Sequence, residues 1–307
     1  MDRVLVTPRS LTEGPHPALL ELSAAGFDLV CSAPGGLPGE AELIRLVRGC
    51  VGWIAGIEPV SPAVIAAATE LRVISRNGIG VDNLPLELLR ARGITVVVAE
   101  GANARGVAEL TVGLMLAGLR RITQMDAGIK DGKWPRRKGL EIRDRTVGIV
   151  GCGAIGSEVA RLVSCLGAHV VAYEPLQPDP PPVSERFTWV SFEALLTCAD
   201  VVTLHRPSAD STPLINEDVL SRMRPGAMLI NTSRASLVDE SAILESLNSG
   251  RLGTYATDVH AQEPPASLAL VGHPNVIATS HIGGYTQESV DRAAAIAVAN
   301  LIDRLKS

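Results

Sequence analysis

The chain lacks any excess of positive charge: 28 Lys and Arg stand against 33 Asp and Glu, a net charge of −5. Nucleic-acid binding needs a basic face to neutralise phosphates, so no nucleic-acid partner is expected. Long apolar runs are missing too. The stretch 110–119 holds about ten residues, half of the ~20 that a membrane-spanning helix needs, and no membrane partner is expected. The opening MDRVLVTPRS carries an acid at position 2 and no apolar core, so it is not read as a signal peptide. The five cysteines, Cys31, Cys50, Cys152, Cys165 and Cys198, are odd in number and form no CxxC pair. That argues against a disulfide framework and against zinc. No metal is expected, and a reducing cytoplasm is the expected compartment.

What is present is a regular alternation. A length of 307 residues suggests two domains, because single cores rarely grow past ~250 residues. Short β-branched runs at 4–7, 27–31, 51–55, 71–75 and 94–97 form a first strand series. Runs at 146–150, 169–173, 200–205, 227–231, 254–259 and 276–280 form a second. They are too apolar to have one wet face, which is how parallel strands covered by helices on both sides read. Helical stretches at 17–25, 62–67, 155–166 and 240–249 lie between them. The fold class is therefore α/β, with two doubly wound parallel sheets. A long helical stretch, 103–121, follows the fifth strand without a partner in the first series, and a boundary is expected there. The segment 175–183 has five prolines in nine residues and reads as a linker or, better, as a stiff loop between sheet elements.

The sharpest local signal is TVGIVGCGAIGSEVA. A strand runs into Gly151, Gly153, Ala154, Ile155 and Gly156 and on into a helix. Glycines let the backbone turn and approach a pyrophosphate, and the helix N-terminus offers N–H groups and the positive dipole end. Glu174 follows Gly156 by 18 residues at the end of the next strand, where a carboxylate would accept hydrogen bonds from ribose hydroxyls and repel a 2′-phosphate. The cofactor expected is NAD rather than NADP.

Three further segments lie at strand ends of the second series: INTSRASLVDE with Arg234, DVHAQEPP with Asp258 and Glu263, and SHIGGYTQES with His281. Each alone has an ordinary reading as a solvated charge, a turn or a cap. Together with GCGAIG, and with SRNGIGVDN (75–83) and GANARGVAEL (101–110) in the first half, the chain resembles the D-isomer-specific 2-hydroxyacid dehydrogenases, most of all the branch that includes 3-phosphoglycerate dehydrogenase. The resemblance covers roughly residues 50–300.

The resemblance implies a Rossmann-type NAD domain, residues 102–284, inserted in a flavodoxin-like substrate domain of residues 1–101 plus 285–307. It implies catalysis by Arg234, Glu263 and His281. Arg234 would offer a planar two-pronged cation to the carboxylate and C2 oxygen of a small 2-hydroxy or 2-keto acid. His281 would move the hydroxyl proton, and Glu263 would orient the imidazole and favour its charged form. His205, Arg206, Pro207, Thr232, Ser233, Arg234, His281, Gly283 and Gly284 would line the cofactor, with Asp258 against its carboxamide. Arg76, Asn77, Gly78 and Ile79, with Arg234 and His281, would hold the substrate. His205 reads as structural or as part of the adenosine-side wall rather than as a chemical group, and His260 as non-catalytic. The resemblance also implies a homodimer, built around 105–140. Two departures stand out: Ala235 follows Arg234 where glycine is common, and Ala55-Gly56-Ile57-Glu58 offers an acid where phosphoglycerate-type enzymes tend to have a cation. A phosphorylated substrate is therefore an open question. An NAD-sensing corepressor-like protein and a phosphite-type dehydrogenase are the alternative functions.

Overall fold

The computed structural model describes all residues except 178–182, 184–185 and 208–211. Most of the proline-rich stretch 175–183 thus lies outside the described residues. The chain divides into two compact units, Met1–Asn103 with Thr286–Ser307, and Ala104–Tyr285.

The first unit carries a five-stranded sheet. Its strands are β1 (Arg3–Val6), β2 (Asp28–Cys31), β3 (Cys50–Ala55), β4 (Val73–Arg76) and β5 (Thr95–Val98), all parallel in the order β2-β1-β3-β4-β5. Successive strand residues point to opposite faces, and both faces are buried. Leu5, Trp53 and Ile74 pack with Leu43, Val64 and Leu89 on one side. Val4, Val6, Ile54 and Val73 pack on the other with Ala294, Ala297, Val298 and Leu301 of the last helix, Gln287–Lys306. Gly52 makes that contact possible, because a Cβ there would lie 2.8 Å from Leu305 Cδ1 and 3.1 Å from Leu301 Cδ1. Polar contacts then fix the helix: Ser75 Oγ donates to Ala297 O at 2.7 Å and Asn300 Nδ2 to Val98 O at 3.0 Å.

The second unit holds β6 (Thr146–Val150), β7 (His169–Tyr173), β8 (Phe187–Trp189), β9 (Val201–Leu204), β10 (Ala227–Asn231), β11 (Leu252–Thr257) and β12 (Val276–Ala278). All pairings are parallel, in the order β12-β11-β10-β9-β6-β7-β8. The order reverses between β6 and β9, the doubly wound arrangement of dinucleotide-binding sheets. Apolar residues of the helix Ala104–Leu119, among them Ala108, Leu114 and Met115, pack with Val147, Ile149 and Val159 on one face. On the other face Val202, Leu204 and Leu229 pack with Leu196, Ile243 and Leu247.

Local differences from the sequence reading have physical causes. β8 was not anticipated, because Phe-Thr-Trp is a three-residue edge strand with no β-branched run; it is held by pairing with Val170–Ala172. The stretch 103–121 is a helix only from Ala104 to Leu119. Arg121 takes a left-handed φ of 56°, which starts a separate helix, Ile122–Lys130. β4 runs Val73–Arg76 rather than 71–75, so Arg76 belongs to the strand and is buried. No helix among the described residues is long and apolar enough to cross a membrane.

Candidate active site

In the second unit β6 ends at Val150 and Gly151 turns the chain with φ +93°. A Cβ on Gly151 would stand 2.6 Å from the His205 carbonyl, and one on Gly156 only 2.1 Å from the Gly151 carbonyl. Both positions therefore demand glycine. At Gly153 a Cβ would meet nothing within 4 Å. This residue is the N-cap of the helix Ala154–Cys165 and supplies no side-chain cap. The first-turn N–H groups, those of Ala154, Ile155 and Gly156, have no partner within the helix, and they open onto space that a pyrophosphate would fill. Cys152 is filler: its thiol is buried, and burial pushes its pKa up, away from reactivity.

Glu174 closes the same loop from the end of β7. Its Oε2 accepts from Cys152 N at 3.0 Å and its Oε1 from Leu176 N at 3.2 Å. A carboxylate has about four acceptor sites, so acceptance remains for ribose hydroxyls. The residues present fit NAD.

His205 follows β9 and is buried. Its Nε2 lies 2.9 Å from Thr203 Oγ1, its Nδ1 has no partner among the described residues, and burial pushes its pKa down to about 3. It is a neutral wall of the glycine turn. Arg206 O accepts from Ser233 Oγ at 2.8 Å, and Pro207 follows in the same loop. Thr232 Oγ1 pairs with Thr111 Oγ1 at 2.9 Å. The Thr232 and Ser233 hydroxyls are thus engaged by protein.

Arg234 stands just beyond β10. Asn231, fully buried, shapes its turn by donating from Nδ2 to Arg234 O at 2.9 Å and accepting from Ser233 N at 3.1 Å. Arg234 Nη1 donates to Ser233 O at 2.9 Å. Sequence reasoning singled out the segment 231–234 but gave Asn231 no role of its own, although an Asn at a strand end followed by polar residues is a turn-forming signal.

Asp258, just beyond β11, is 2% exposed. Its Oδ1 accepts from Thr279 Oγ1 at 2.6 Å and Ile282 N at 2.8 Å, and its Oδ2 from Gly283 N at 2.7 Å. The loop after β12, continuing through Gly284, thus wraps one buried carboxylate. That wrapping holds His281 at a φ of +56°, where a side chain with a Cβ rarely sits. Its Nδ1 lies 2.9 and 3.0 Å from the two Glu263 oxygens. With Nδ1 donating to Glu263, Nε2 is the nitrogen left to act on a ligand. His260 is not a rival. Its Nε2 lies 2.8 Å from the Thr279 carbonyl, and its N–H donates to Glu263 Oε1 at 3.3 Å. Glu263 and His260 also border a cavity of about 620 Å³, whose walls include Pro264, Val271 and Ile282 but not His281 or Arg234.

In the first unit Arg76 ends β4 and is buried; its Nη1 donates to Asn77 O at 2.9 Å. Asn77 N donates to Ala55 O and Gly78 N to Arg76 O, both at 2.9 Å. A carboxylate held by this loop would therefore take its backbone hydrogen bonds further along, at Ile79 and Gly80.

A sheet of Rossmann order, a glycine turn aimed at a helix N-terminus and an acid-backed imidazole beyond the strand ends define the class. Residues 112–283, more than half of the chain, match the D-isomer specific 2-hydroxyacid dehydrogenase, NAD binding domain, and the chain belongs to this family. Its cofactor is NAD. Among relatives it is similar to the D-3-phosphoglycerate dehydrogenase of Methanocaldococcus jannaschii, 38% identical over 274 residues, which cover 88% of this chain and 52% of that protein. The chain spans about half the length of the curated relatives it matches. Among solved structures, the TT0316 protein of Thermus thermophilus is 36% identical with a TM-score of 0.86, covering 99% of this chain and 97% of that one. The NAD+-bound 3-phosphoglycerate dehydrogenase of Entamoeba histolytica is 25% identical with a TM-score of 0.82, covering 100% and 96%.

Proposed function

We propose that the protein is an NAD-dependent D-2-hydroxyacid dehydrogenase, or in the reverse direction a 2-ketoacid reductase, acting on a small 2-hydroxy acid. The observation that carries this reading is the His281–Glu263 pair, with both carboxylate oxygens on Nδ1, at the same end of the sheet as the glycine turn and Arg234. NAD held there would supply the acceptor or donor of the hydride at C2. Arg234 grips the carboxylate and C2 oxygen with its fork, which a lysine point charge cannot reproduce. His281 Nε2 takes the hydroxyl proton in oxidation and returns it in reduction, while Glu263 fixes the ring and its tautomer. Gly151 to Gly156 cradle the pyrophosphate, Glu174 the ribose, and the 76–79 loop the substrate. Asp258 keeps the His281 loop in place and retains acceptor capacity for the carboxamide.

Oxidation of NADH with glyoxylate, hydroxypyruvate, pyruvate, phosphohydroxypyruvate and sulfopyruvate tests the reading. His281→Ala should slow turnover by on the order of 10²–10⁴ while NADH binding persists. Wild-type rates in a folded His281→Ala protein would remove the mechanism. NADH binding without turnover of any ketoacid would favour the NAD-sensing alternative.

The protein acts as a cytoplasmic homodimer in this reading. The helix Ile122–Lys130 has no buried residue, and Ile122, Ile129, Trp134 and Leu140 are all exposed, an apolar surface that a second copy would cover. Exposed thiols at Cys31 and Cys165 suit a reducing compartment. Sedimentation at a monomer mass would overturn the dimer.

A further inference from the structure

The five-stranded sheet has the order β2-β1-β3-β4-β5, so its switch point lies between β1 and β3. Sheets of this order place their ligand outside the carboxyl ends of the strands at that crevice. Here a carboxylate fills it. Glu58, three residues beyond β3, has no solvent exposure. Its Oε1 accepts from Gly56 N at 2.9 Å and from the hydroxyl of Thr7, the residue after β1; Trp53 Nε1 donates to that same hydroxyl at 2.9 Å. The other oxygen, Oε2, is buried without a hydrogen-bond partner. A Cβ on Gly56 would stand only 2.6 Å from it. A buried acceptor left unpaired has given up its hydrogen bonds to water without replacement, so its retention here calls for a reason.

Next to this, at the end of β4, Arg76 is the buried cation of the sheet end. Burial pushes its pKa down, and the nearby acids Glu58 and Asp82 pull it back up. Its Nε and the Asn77 Oδ1 are buried and unpartnered as well. Two acceptors and one donor are thus left unpartnered at one sheet end, and the Arg76 guanidinium already feels the charge of two acids. A phosphomonoester brings a charge of about −1.5 to −2 and only acceptors. It would satisfy Arg76 Nε and be opposed by both acceptors. A hydroxyl offers a donor as well as an acceptor.

We infer that Glu58 determines specificity: the substrate is a 2-hydroxy or 2-oxo acid whose far end is neutral and donates a hydrogen bond, and a phosphorylated tail is rejected. This rests on the dehydrogenase reading and departs from the substrate in the relatives' names. The test compares hydroxypyruvate with phosphohydroxypyruvate, which differ only in the phosphate, in steady-state NADH oxidation. Wild type should favour hydroxypyruvate in kcat/KM by roughly tenfold or more, as charge repulsion at a buried site requires. Glu58→Gln keeps the shape and removes the charge. It should narrow that ratio several-fold, mainly through a lower KM for the phosphorylated acid. A wild-type preference for phosphohydroxypyruvate, or an unchanged ratio in folded Glu58→Gln, overturns the inference. If the variant does not fold, the wild-type ratio decides alone. If no ketoacid is turned over, the dehydrogenase reading fails separately. Calorimetry of the NAD+-loaded protein with D-glycerate and 3-phospho-D-glycerate then decides: tighter D-glycerate supports the assignment, and equal or tighter phosphoglycerate, or binding of neither, sinks it.

Discussion

At the switch point of the seven-stranded sheet, between β6 and β9, the backbone is hollowed by glycine: Gly151 and Gly156 pack against carbonyls, and Gly153 faces open space. At the switch point of the five-stranded sheet, between β1 and β3, the corresponding room is filled by the side chain of Glu58 bonded to Thr7. Both sheets are parallel, doubly wound and buried on both faces, so topology alone would offer each the same kind of ligand. The difference is local. One sheet end leaves the N–H groups of a helix start for an anion; the other buries a carboxylate near Arg76. A fold supplies the crevice, and a handful of residues decide which charge may enter it.

The glycines give the hardest test of that contrast. Gly156→Ala would force a Cβ to 2.1 Å from a backbone carbonyl that has no flexible end to move. The loop must shift, at a cost of about 1–3 kcal/mol, and NADH affinity should fall by about 10–100-fold with it. Gly153→Ala meets no protein atom, so as an N-cap change it should cost no more than about 1 kcal/mol of stability. Its methyl group nonetheless stands in the cradle, so NADH titration should show weaker binding with a nearly unchanged Tm. If Gly153→Ala binds NADH as well as wild type does, the cradle is not where the pyrophosphate lies.

The architecture was legible where chemistry was uniform along the chain. Runs such as TVGIV and AMLIN are apolar at every position because both sheet faces are covered, and they appear as β6 and β10 at the bounds read from sequence. Legibility failed where a single residue or a distant partner decides. Nothing in Arg120-Arg121 announces a left-handed residue that divides one helix into two. The acid at 58 was visible as an oddity, but its fold-back onto Thr7, 51 residues away, depends on sheet order. The candidate chemistry was legible through motifs, whereas its supports were not. Asn231 announces a turn but not which residue it holds, and Thr279 acts through a buried carboxylate that lies 21 residues away.

A second test concerns how far the two sheet ends can be treated apart. Gly52→Ala in the first unit places a Cβ 2.8 Å from Leu305 Cδ1. The contact is with the ends of leucine side chains, which can rotate, so the loss should sit at the low end of overpacking, about 1–2 kcal/mol, read by urea denaturation. NADH affinity should not change, because the cradle lies wholly in the second unit. Weaker NADH binding by folded Gly52→Ala would show that the contrast drawn between the two ends is too sharp.

The smallest effect separates the buried titratable groups of the two crevices. Burial lowers the His205 pKa to about 3 from an ordinary 6.5, so the folded protein keeps this ring neutral while the unfolded chain protonates it below 6.5. Between those values the unfolded state binds more protons, and stability must fall as pH falls. From pH 7 to pH 5.5 this one group should remove about 1 kcal/mol. His205→Gln retains an amide to meet Thr203 and has nothing to protonate. The variant starts lower at pH 7 if the ring's packing beside Gly151 matters, but its further loss by pH 5.5 should be smaller than that of wild type by about 1 kcal/mol. Chemical denaturation at the two pH values measures both. Equal losses in the two proteins would mean that His205 takes a proton in the folded state, and that the wall of the glycine turn carries charge after all.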